Sequence, residues 1–138
     1  MSVELPDGYE PSEKEEFMND QQLEYFRRKL VEWRESIIID SRETLSHLQE
    51  DSLKEPDIAD RASAETDWSV ELRTRDRQRK LVMKIDAAIK RIDEKDYGYC
   101  EVSGEQISLK RLQARPIATM TIESQEKHEN YEKVHRDH

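Results

Sequence analysis

The chain has 138 residues, enough for one domain or for one elongated element with a small appendage. Only 34% of them are hydrophobic and 40% are charged, with a mean hydropathy of -1.05, so a single spherical core is excluded. The formal net charge of -9 argues against a sequence-independent nucleic-acid binder, which draws its affinity from neutralising phosphates. Disorder is the competing reading of so much charge. Against it, the chain holds only 3 Gly and 4 Pro, and its apolar residues recur at helical spacing. The single cysteine, Cys100, rules out an intramolecular disulfide and fits a reducing compartment. No apolar run is long enough for a signal segment or a membrane span, so a cytoplasmic, soluble protein is expected.

Residues 1–18 place Pro6, Gly8 and Pro11 among acids and read as a flexible acidic arm. Asn19 or Asp20 then offers a side-chain oxygen to cap a helix. In that helix Leu23, Phe26, Leu30, Trp33 and Ile37 follow a strict 3-4-3-4 spacing, the pattern of a coiled-coil seam. Beyond Ile37 the apolar phase slips by one, to Ile38, Leu45 and Leu48, so the seam drifts around the helix. Pro56 sets its end, because the residue before proline is pushed out of the α region.

A second helix is expected from about Asp67 to Glu94, with Trp68, Leu72, Val82, Ile85, Ile89 and Ile92 as its apolar stripe. The polar block Arg73–Lys80 interrupts that stripe. Two helices of similar length joined by a short connection favour an antiparallel pair. The acidic segment Asp57-Ile-Ala-Asp-Arg-Ala62 then reads as the hairpin tip, carrying two carboxylates that can enter a cleft closed to a compact domain. With the turn centred there, Leu45 falls near Leu72, and Asp40 and Glu43 fall near the arginine block, where ion pairs would fill the apolar gap.

Tyr97-Gly-Tyr-Cys100 ends the second helix, with Gly98 available for a left-handed cap. The turn-rich stretch 100–124 reads as a compact knob, packed by Tyr97, Tyr99, Ile107, Leu109, Leu112, Ile117, Met120 and Ile122. From Glu123 to Arg136 a charged stretch with Tyr131 and Val134 reads as a final helix with few anchors. The expected architecture is thus mainly α: arm 1–18, antiparallel coiled-coil hairpin 19–95, then knob and C-terminal helix 96–138.

Charge is unevenly spread. Residues 68–95 carry nine Lys/Arg against five Asp/Glu, a balance of +4, while the first 22 residues carry -6. Arg73, Arg77, Lys80, Lys84 and Arg91 return to nearly one azimuth of the helix and form a stripe that suits an acidic surface or a phosphate-rich ligand. The plainer reading is a solvated face with ion pairs inside the hairpin, each contributing about 0–1 kcal/mol. For Asp57 and Asp60 the plainer reading is helix capping. Trp33 and Trp68 read as packed at the helix interface. His47, His128, His135 and His138 lack zinc-finger pairing with cysteine; Cys100 has a redox sensor as one reading and a small buried hydrophobe as the plainer one.

Taken together, several motifs resemble the DksA/TraR family of RNA polymerase-binding regulators over nearly the whole chain. They are Phe17-Met-Asn-Asp-Gln-Gln-Leu23 with Phe26-Arg27-Arg28 and Trp33-Arg34; Asp57-x-x-Asp60-Arg-Ala62; Glu71-Leu-Arg-Thr-Arg-Asp-Arg77 with Arg79-Lys80-Leu81; Asp96-Tyr-Gly-Tyr-Cys100; and Arg111-Leu-x-Ala-Arg-Pro116. An intramolecular hairpin buries its own seam, which favours a monomer, and the resemblance implies a hairpin that enters the polymerase secondary channel and alters promoter-complex lifetime without contacting promoter DNA. It represses promoters such as those of ribosomal RNA and activates others, in concert with the alarmone ppGpp of the stringent response. It places Asp57, Asp60 and Ala62 near the polymerase catalytic centre, gives Arg77 a part in the polymerase response, and assigns Leu81, Lys84 and Arg115 to ppGpp. A third basic ppGpp position falls on Gln125, which lacks the charge.

The family's zinc-binding Cys-x-x-Cys pairs fall on Cys100, Ser103, Thr121 and Ser124. One thiolate with three hydroxyls is a poor zinc site, because Ser and Thr stay protonated and donate weakly. The expectation is a knob without zinc.

Two other classes compete. An enzyme would use Asp57 and Asp60 to hold Mg²⁺, but a tip lacks the pocket, nucleophile and orienting shell that catalysis needs, so no enzyme is expected. A transcript-cleavage or elongation factor in the same channel is the nearer alternative. A structural coiled-coil adaptor is the other, and it would tolerate loss of the tip acids.

Overall fold

The structure is a computed structural model; it describes residues 3–54 and 58–136, with side chains described at 3–47 and 65–135. Four helices follow in order: α1 (Asp20–Lys54), α2 (Ile58–Asp93), α3 (Leu109–Ala114) and α4 (Ile122–Arg136). Among the described residues there is no strand; one isolated antiparallel bridge joins Tyr99 and Gln106. The chain forms two compact units, one of residues 1–30 and 88–138, the other of residues 31–87. The division therefore cuts both long helices and does not fall at residue 95.

Asn19 is the cap of α1: its Oδ1 accepts from Gln22 N at 2.8 Å, satisfying one of the donors a helix start leaves free. The last described residue of α1 is Lys54, two short of Pro56. The second helix starts at Ile58, nine residues ahead of the expected Asp67. Residues 58–66 contain neither Gly nor Pro and include three alanines, so nothing local stops the helix from reaching back to the turn.

In the second unit α1 and α2 run antiparallel. Arg34 Nε lies 2.6 Å from Asp86 Oδ1, and Ser41 Oγ donates to Gln78 Oε1 at 2.6 Å. Both pairs are centred within half a residue of position 60, which sets the register of the two helices. Ile37 and Ile85 are buried, whereas Leu72 is 47% exposed. A cavity of about 480 Å³ opens where the polar block interrupts the stripe, lined by Ile37, Ile38, Leu45, Leu72, Arg75 and Val82 among others. Leu45 and Leu72 thus share one crevice, as the register requires. The expected ion pairs from Asp40 and Glu43 are not among the described contacts. The block pairs within its own helix instead: Asp76 takes Arg79 at 3.0 Å and Lys80 at 3.3 Å. These i,i+3 and i,i+4 partners are held together by the helix itself, so they need no long reach across the crevice.

In the first unit Leu23, Phe26 and Leu30 of α1 and Ala88 and Ile92 of α2 are buried, with Tyr97, Cys100, Ile107, Leu109, Leu112 and Ala118 from the knob. Phe26 and Tyr97 meet with ring centroids 5.5 Å apart. The Tyr97 hydroxyl donates to Pro116 O at 2.7 Å, and burial holds its pKa well above the ordinary tyrosine value. Ser108 caps α3, its Oγ accepting from Arg111 N. Ile122, expected in the knob core, is 48% exposed because it opens α4 on an outward-facing turn.

The arm is not loose over residues 3–19. The Tyr9 hydroxyl reaches Glu15 at 2.9 and 3.0 Å, Ser12 N donates to Glu15 Oε1 at 3.0 Å, and Arg28 Nη2 donates to Val3 O at 2.8 Å. Pro6, Gly8 and Pro11 shape turns there, and the aromatic residues Tyr9 and Phe17 supply the anchors that hold them.

Candidate functional site

Two regions carry the residues singled out in the sequence. The first is the outer face of α2 in the second unit. Arg73, Arg77 and Lys84 are exposed, and among the described residues none of them forms an ion pair. Arg77 only touches Thr74 Oγ1, at 3.4 Å. Lys80 differs, since its ammonium is spent on Asp76. Hydrogen bonding and charge from Lys80, then Arg79, hold the Asp76 carboxyl below its ordinary value. Leu81 is half-buried and lies four residues after Arg77 and three before Lys84, so the three share one face. Periodicity cannot show which cation of a stripe is free, because that depends on Asp76 sitting one turn from Lys80.

Arg91, placed on this stripe by its spacing, has another task. Its Nη2 donates to Tyr99 O at 2.8 Å, while its own carbonyl accepts from Asp96 N and Tyr97 N. It therefore pins the knob's first turn in the first unit. Asp60 and Ala62 lie in the first turns of α2; Asp57 lies outside the described residues. Arg115, in the first unit, is the exposed C-cap of α3, with its N–H on Arg111 O at 2.7 Å. Gln125 Nε2 donates to Glu129 Oε1 at 3.0 Å, one turn along α4.

The second region is the knob. Cys100 is 3% exposed. Ser103 N donates to its Sγ at 3.4 Å, and Ser124 Oγ lies 3.4 Å from the same sulfur. Thr121 Oγ1 accepts from Ser124 N at 3.2 Å, and Ser103 Oγ accepts from Glu105 N at 3.3 Å. So Cys100, Ser103, Thr121 and Ser124 do converge, as the finger spacing requires. The Ser103 and Thr121 oxygens, however, cap local turns, while Ser124 Oγ lies against the Cys100 sulfur. Burial alone would raise the Cys100 thiol, but hydrogen bonds from the Ser103 and Ser124 hydroxyls and from the Ser103 and Thr121 backbone outweigh it and bring it to about 6. One thiolate with three neutral hydroxyls does not fit tetrahedral zinc, which needs several strongly donating anionic or imidazole ligands. Among the described residues no group of three or more His, Cys, Asp or Glu could hold a metal ion.

An antiparallel helix pair and a turn-rich knob built around Cys100 define a helical hairpin protein. Residues 22–92 match the model of the DnaK suppressor protein DksA, N-terminal domain, and residues 95–130 match that of the prokaryotic dksA/traR C4-type zinc finger. The chain belongs to the DksA/TraR family. It is 61% identical over 129 residues to the RNA polymerase-binding transcription factor DksA of Caulobacter vibrioides, covering 94% of this chain and 91% of that one. Its identity to the protein of the same name from Escherichia coli K12 is 43% over 119 residues, covering 84% and 79%. Among solved structures it is similar to transcription factor DksA2 from Pseudomonas aeruginosa, with a TM-score of 0.79 and 36% identity over 85% of this chain and 90% of that one.

Proposed function

We propose that the protein is a non-enzymatic transcription regulator that binds RNA polymerase through its secondary channel and changes the lifetime of promoter complexes. The observation that carries this reading is the register of the second unit. Cross-helix pairs centred at position 60 run the two helices antiparallel about the acidic segment, which supports a tip of the kind the family uses there. The 61% identity to a relative named RNA polymerase-binding transcription factor supports the same partner. Asp57, Asp60 and Ala62 act at the polymerase active site, and Arg77 supports the response.

The alarmone ppGpp strengthens the effect by binding at Leu81, Lys84 and Arg115 against the polymerase. Lys84 and Arg77 are free of intramolecular ion pairs among the described residues, which suits a phosphate or an acidic surface. Gln125 offers no charge in place of the family's third cation, so one phosphate contact is weaker. The protein acts as a monomer in the cytoplasm, without sequence-specific DNA contacts, and its knob works without zinc. Open-complex lifetime at a ribosomal RNA promoter tests this, measured with the cognate polymerase and added protein. The lifetime should shorten severalfold, and an unchanged lifetime with protein in excess would leave a structural adaptor.

A further inference from the structure

The arm reaches the root of the knob within the first unit. Phe17 packs edge-on against Tyr99, with centroids 5.4 Å apart and planes at 79°. Met18 follows with φ at 52°, a left-handed value that a side chain other than Asn or Asp seldom adopts. That turn lays its side chain over Gly98, where a Cβ would meet Met18 Cγ at 2.9 Å and Phe17 Cζ at 3.2 Å. Gly98 has φ 95°, so the knob's first turn and the arm's last turn are both set in unusual backbone so that they can touch. Gln22 locks the arrangement. It is fully buried, its Oε1 accepts from Met18 N at 2.8 Å, and its Nε2 donates to Ser12 O at 3.1 Å. Both of its polar ends therefore serve the arm, and an unfolded arm would leave a buried amide unpaired.

On this basis we infer that the N-terminal arm is a clasp that holds the Tyr97–Cys100 turn closed, doing by packing what bound metal does in four-cysteine fingers. Cys100 N donates to Glu105 O at 2.7 Å and Ile107 N to Gly98 O at 2.8 Å, so the turn that the arm covers is the one that carries Cys100 and leads into the α3 segment. The inference does not depend on the polymerase reading; it rests on the reading that the knob holds no zinc.

The buried thiol reports on the clasp. Maleimide labelling of Cys100 in the full-length protein, at one fixed pH, reads how often the turn opens. Phe17→Ala should label at least about tenfold faster than the parent, at a helix content by circular dichroism equal to the parent's. Gln22→Met keeps the bulk and helix propensity of Gln22 but removes both arm bonds, and should also accelerate labelling. Chelation with EDTA should leave the parent's rate unchanged. Labelling of both variants at the parent rate would overturn the clasp. Acceleration of the parent by EDTA to the rate of Phe17→Ala would overturn the metal-free reading on which it rests, since a bound metal would then be what holds the turn.

Discussion

Tyr97 and Pro116 are joined by a buried hydrogen bond of 2.7 Å that links the turn after α2 to the segment after α3. The Tyr97 ring is 1% exposed, so the Pro116 carbonyl has little water to turn to if the hydroxyl is removed. Tyr97→Phe keeps the ring against Phe26 and deletes only the bond. It should cost about 1–3 kcal/mol, the usual penalty for stranding a buried polar group, and urea unfolding measures it. A loss within 0.3 kcal/mol of zero would mean that Pro116 finds another donor.

Arg34 and Asp86 make the shortest cross-helix ion pair among the described residues, at 2.6 Å, yet their side chains are 39% and 49% exposed. Screening and side-chain entropy cancel most of the gain at such a site. Asp86→Asn should therefore cost under about 1 kcal/mol, whereas Ile85→Ala, one residue away and fully buried, should cost about 2–5 kcal/mol. Reversal of that order in thermal unfolding would show that charge, not the seam, holds the hairpin.

Glu15 ties pH to the arm. Burial alone would raise its carboxyl, but hydrogen bonds from Tyr9, the Ser12 N–H, Asn19 and Gln22 together hold it below its ordinary 4.5. A carboxyl depressed on folding stabilises the fold above its unfolded value and loses that contribution as the pH falls through the lower folded value. The arm should therefore be fully tied at pH 7 and release in acid below pH 4.5. The parent should lose more stability than Glu15→Gln between pH 7 and 3; parallel pH profiles in thermal unfolding would remove Glu15 from the clasp.

The start of α1 was legible because Asn19 precedes an uninterrupted 3-4 pattern, and the pairing register because the apolar positions of both helices converge on one turn. The start of α2 was not: an acidic stretch after Pro56 reads as turn, while the absence of any breaker from Ile58 to Thr66 lets α2 continue to its first turn. The contacts of the arm were not legible for a related reason. Pro6, Gly8 and Pro11 signal irregular backbone, but irregular is not unanchored, and Tyr9 and Phe17 were the signal that something held it. The finger positions Cys100, Ser103, Thr121 and Ser124 followed from the family resemblance. That Arg91 serves the Tyr99 carbonyl did not, because periodicity assigns a face and says nothing of what bends back to meet it.

On the α2 face, the cations that form no ion pair among the described residues should matter more than Lys80, which is paired with Asp76. If Lys84 holds a ppGpp phosphate as proposed, Lys84→Ala should reduce the ppGpp-dependent part of the response at least about tenfold while leaving helix content unchanged, since one charge-assisted contact contributes roughly 1.5–3 kcal/mol. Lys80→Ala, whose partner Asp76 still has Arg79, should change it less than twofold. Titration of ppGpp in transcription assays with each variant measures both; equal losses would mean that the stripe acts by bulk charge.

The proposed mechanism has an acidic tip act inside the polymerase. Its most direct test is transcription in vitro from a ribosomal RNA promoter with the cognate polymerase, comparing parent and Asp60→Asn with and without ppGpp. The account predicts inhibition by the parent, strengthened by ppGpp, and none by Asp60→Asn at equal occupancy of the enzyme. Equal inhibition by both proteins would contradict it.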